Sequence, residues 1–119
     1  MSMAAAVQQD DQHSLPPAQA VALYEGLTTL TEVIDAMLCQ PRFAEGAVCN
    51  AAGEVLSHLR DQIGEQAEAA MAAAVAGEPQ GHYARQAWAA AQLRHAADQS
   101  DNVELLVNLA RSLASMNPA

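Results

Sequence analysis

The sequence predicts an all-α fold: a small bundle of about four helices, in which a long antiparallel helical hairpin is followed by two shorter C-terminal helices. Three observations predict it. Alanine dominates an apolar fraction of 51%, apolar residues recur at helical spacing through most of the chain, and prolines fall only at the borders of the periodic runs. β-branched residues are few, and no β-sheet is expected. A length of 119 residues suits one domain, with residues 1–14 as a mobile tail lacking any period and 15–119 as a single helical domain.

The first helix is expected over Pro17 to Cys39. Ser14 is a good cap, and a proline in the first turn costs no hydrogen bond. Ala20, Leu23, Tyr24, Leu27, Leu30, Ile34, Met37 and Leu38 form its apolar stripe, and Gly26 weakens it by about 1 kcal/mol relative to alanine. Pro41 marks a tight connection, so the next helix must return antiparallel, with Phe43 plugging the turn.

That second helix, expected over Ala44 to Ala76, is the central element. Val48, Ala52, Val55, Leu59, Ile63, Ala70 and Ala74 share one side, predicted to be core, while Asn50, Glu54, Ser57, His58, Asp61, Glu65 and Glu68 share the other. Gly53 could permit a close crossing, Gly64 is where a break is most expected, and Gly77-Glu78-Pro79 supplies a left-handed cap and a stop. A third helix follows over about His82 to Ala97, with Ala84, Trp88, Ala91 and His95 on one stripe and Leu93 well away from it. Asp101 with Glu104 resembles a capping box opening a fourth helix, closed by Asn117-Pro118.

Fourteen acidic residues against five arginines and no lysine leave a net charge of −9. That balance disfavours nucleic acid and anionic membranes as partners. No apolar run is long enough for a membrane span and no secretory signal is recognisable, so a cytoplasmic location is expected. Cys39 and Cys49 then remain thiols and read as small apolar fillers.

Glu54, His58, Asp61 and Glu65 stand at i, i+4, i+7 and i+11, the one arrangement resembling a metal site. They lie opposite the apolar arc, where a solvated face is the simpler account. No phosphate loop, nucleophile elbow or HExxH pattern is present, so no catalytic residue, cofactor or metal ligand is assigned. The apolar excess of the last two helices is either core or docking surface. Tyr83, Trp88, Leu105, Leu106, Leu109 and Leu113 are its candidate partner-binding residues, and a homodimer or another protein is the expected partner. The competing class, a small bundle enzyme or metal-binding protein, needs inward polar groups.

In size, acidity and the helical run from Pro16 to Met116, the chain resembles the small all-helical quorum-sensing anti-activators of proteobacteria. The resemblance is one of overall character, without a shared motif. It implies a regulator that binds a LuxR-type transcription factor and blocks it.

Overall fold

The computed structural model describes residues 15–99 and 101–116. The expected tail, the Ser14 cap and the Asn117-Pro118 stop lie outside them. Helix α1 spans Pro17–Leu38 with Pro16 at its cap position, and buries Ala20, Val21, Tyr24 and Ile34. A single 3-10 turn, Pro41–Phe43, leaves its far end.

The connection departs from the sequence expectation. Ala44–Glu45 (β1) and Val48–Cys49 (β2) form a two-stranded antiparallel ladder, pairing Ala44 with Cys49 and Glu45 with Val48. Gly46, at φ +66°, makes the turn between them. Helix α2 therefore spans Ala51–Val75 and starts at Ala51, not Ala44. Asn50 sets that start, because its side chain serves both sides of the boundary. The side-chain oxygen accepts from the Gly53 amide at 2.8 Å, and the side-chain amide donates to the Arg42 carbonyl at 2.8 Å. Asn50 N–H donates to the Phe43 carbonyl at 3.0 Å. Gly53 packs against that same carbonyl oxygen, so a β-carbon there would collide with it. The close approach anticipated at Gly53 is thus to the turn. Phe43 is half-buried, with the Arg42 guanidinium 4.9 Å above its ring.

Helix α2 runs unbroken through Gly64 and caps at Ala76. Gly77 does not take the left-handed conformation expected of it; Gly81, at φ +98°, does. Helix α3 spans His82–Gln99 and α4 spans Val103–Met116. The cap of α4 is Asn102 rather than Asp101, its side chain accepting from the Leu105 amide at 3.3 Å.

Helices α1 and α2 form the expected hairpin, and α3 packs on its base. The core joins Ala20, Val21 and Tyr24 of α1 with Ala67, Ala70, Met71, Ala73 and Ala74 of α2, Trp88 and Ala91 of α3, and Leu113 of α4. Ion pairs Asp35–Arg60 and Glu32–Arg94 lie along the side that faces α3. Toward the turn, and on the side away from α3, the described residues give the hairpin α1 and α2 alone. Consequently Val48, Ala52, Val55 and Leu59, predicted as core, are exposed, as are Leu30 and Val33 of α1. The apolar arc of each helix is wider than one neighbouring helix can cover, and only at the base does a further helix complete the burial. Both cysteines are exposed thiols, not buried fillers. Among the described residues no helix is long and apolar enough to cross a membrane.

The two glycines of α2, Gly53 in its first turn and Gly64 in its middle, should respond oppositely to alanine. Gly53→Ala, driven against the Phe43 carbonyl, is expected to destabilise by about 1–3 kcal/mol. Gly64→Ala, with open space around it, should stabilise by about 0.5–1 kcal/mol. Urea denaturation of both variants measures the difference.

Candidate protein-docking surface

Alanines give α3 a slender profile, and this lets Trp88 reach the hairpin. Trp88 is only 6% exposed, and its indole N–H donates to the Ala74 carbonyl at 2.8 Å. It is an internal anchor, not an accessible docking residue. Ala91 is buried on the same stripe, and Ala84 and His95 are half-buried. Leu93, on another side, also packs on the core while remaining half-buried, and α3 touches both helices of the hairpin as well as α4.

Of the six residues singled out in the sequence, Trp88 is internal, and the four leucines divide according to the phase of α4. Leu113, 5% exposed, belongs to the core, where it completes the layer around Ala91 and Trp88. Leu106 and Leu109 share its side and are half-buried. Leu105 lies on the flank and is 59% exposed, and Tyr83 at the start of α3 is 84% exposed. The Tyr83 ring meets His82 edge-on, with centroids 5.6 Å apart. Val103 and Val107, not singled out beforehand, are exposed on the opposite flank of α4. Their signal was present in a helix apolar over more than half its circumference, since a single neighbour covers only the middle of such an arc.

Two open grooves run along this end of the molecule. One, of about 340 Å³, is walled by Met71 and Val75 of α2, His95 and Ala96 of α3, and Leu109 of α4, with Glu68 at its edge. The other, of about 370 Å³, separates α3 from α4 and is lined by Ala89, Leu93, Ala110, Leu113 and Ala114. Of the polar groups along the first, Glu68 is paired, while the buried side-chain nitrogen of Gln92 has no hydrogen-bond partner among the described residues. His95 Nε2 is 2.8 Å from a Glu68 carboxylate oxygen, and the Gln99 side-chain amide donates to the other oxygen at 3.3 Å. Tyr24 meets the His95 ring edge-on, centroids 5.9 Å apart, and burial pushes its phenol above the ordinary value of 10.0.

Glu54, His58, Asp61 and Glu65 are all exposed on α2. Among the described residues no three His, Cys, Asp or Glu side chains stand close enough to hold one ion. Replacing Glu54 or His58 with alanine should change stability by less than about 1 kcal/mol, the scale of an exposed helix pair. Thermal melts with and without a chelator check this, and a metal-dependent shift would contradict it.

No protein-family model, no curated protein and no solved structure matches this chain, which leaves the surface chemistry of its own residues as the ground for a function.

Proposed function

We propose that the protein is a non-enzymatic interaction module, a regulator that occupies the surface of another protein through the apolar end formed by α3 and α4. The observation that carries this is the exposure of Val103, Leu105 and Val107 on α4, together with that of Tyr83 at the start of α3. Large apolar side chains exposed together on one short helix, as on α4, mark an interaction surface, and an exposed tyrosine suits an energetic anchor. The acidic balance of −9 favours a partner that is basic around its docking site, because opposite potentials steer the encounter. A LuxR-type transcription factor, the partner implied by the resemblance to anti-activators, is a DNA-binding protein and so carries basic surface. Blocking such a factor needs no chemistry from the blocker, only occupancy.

The placement of Glu54, His58, Asp61 and Glu65 on the exposed face of α2 favours this over a bundle enzyme or metal carrier, which needs such groups turned inward. Binding of the purified chain to a purified LuxR-type factor, measured by calorimetry, tests the proposal. Tyr83→Ala and Leu105→Glu should each weaken binding by at least about tenfold, the loss typical of an interface anchor, with circular dichroism unchanged. Trp88→Ala should instead lower the melting temperature, because it removes the internal anchor of α3. Binding that survives both surface substitutions would sink the proposed site.

A further inference from the structure

The hairpin carries a second apolar surface, on the side away from α3. Projected at about 100° per residue, Glu25, Glu32 and Asp35 of α1 all fall on the side where Glu32 meets Arg94 and Asp35 meets Arg60. On α2, Arg60, Glu68, Asp61, Glu54, Glu65 and His58 occupy the arc running from the α3 side around to the outer edge. What remains on both helices is one face bearing Leu23, Leu30, Val33 and Met37 from α1 beside Val55 and Leu59 from α2. Leu30, Val33, Val55 and Leu59 are exposed, Val55 to 68%. No charged residue of either helix projects onto this face, although the chain carries a net charge of −9.

We infer that this uncharged face is the contact between two copies of the chain, which pair hairpin to hairpin into a four-helix arrangement. Charge selects the occupant. Two chains this acidic repel wherever their carboxylates meet, so a second copy can approach closely only where neither presents one. A basic partner gains nothing here, because there is no acidic group for it to neutralise. Size sets the strength of the pairing. Helices of 22 and 25 residues lie side by side over about 33 Å, with a combined width of about 20 Å. The apolar stretch from Leu23 to Met37 covers about 21 Å of that length, about 420 Å² per copy and about 840 Å² in a pair, the size of a weak, concentration-dependent contact. Isologous packing also supplies the third layer that the far half of the hairpin lacks, since residues of each copy cover their counterparts around a twofold axis.

Sedimentation equilibrium of the full chain tests this. The unmodified protein should approach twice its 12.5 kDa chain mass as its concentration is raised, and added salt should shift the equilibrium further toward the pair by screening repulsion between the copies. Leu30→Glu and Val55→Glu should each halve the mass while leaving the helical circular dichroism intact, because both side chains are exposed in the single chain. Val103→Glu, on α4, should leave the mass doubled. A monomer for the unmodified chain, or a dimer that survives both hairpin substitutions, overturns the inference. Loss of the dimer in Val103→Glu alone would assign pairing to α4 and also overturns it.

Discussion

Everything in this fold depends on how closely α1 and α2 approach at their base. Ala20, Ala70 and Ala74 have no exposed surface at all, and side chains this small let two helices lie near the short end of the usual separation range. Close approach has a cost in buried area, because each alanine removes little apolar surface from water. The base compensates with Tyr24, Met71 and Trp88, gathered where a third helix can reach. Farther along the hairpin no such helix arrives, and the leucines and valines there stay at the surface.

This uneven layering explains why the polar interactions sit where they do. Asp35–Arg60 ties α1 to α2, Glu32–Arg94 ties α1 to α3, and Glu68–His95 ties α2 to α3. All three involve exposed or half-exposed groups, so each contributes little stability. They do orient α3 on one side of the hairpin and leave the other without a charge. The distribution of ionisable groups thus divides the molecule into a side built by its own third helix and a side that no helix among the described residues covers.

Much of the fold could be read from periodicity: the number of helices, the antiparallel hairpin, and the extents of α1, α3 and α4 to within a few residues. The start of α2 could not, because Val48, Ala52 and Val55 continue the apolar spacing backwards through a turn that is set by Asn50, Gly46 and the Phe43 carbonyl. Periodicity also marks apolar sides without saying whether anything covers them. Val55 and Leu59 follow the same rule as Ala70 and Ala74, yet only the last two are buried. At the candidate site, the surplus of apolar residues on α4 was evident, whereas the division between inward Leu113 and outward Leu105 depends on a helix phase that only the packing against α3 decides. Trp88 illustrates the same limit. An aromatic among alanines resembles an anchor for a partner, and here it anchors the protein to itself.

That placement of Trp88 has an optical consequence. It is the single tryptophan of the chain, its ring is enclosed, and its N–H is bonded to a backbone carbonyl of α2. Intrinsic fluorescence therefore reports the docking of α3 on the hairpin base and is blind to the distal half. An unfolding curve followed at the indole and one followed by far-ultraviolet ellipticity observe different parts of the molecule. Where they separate, the separation measures how far the hairpin holds together after its third helix has left.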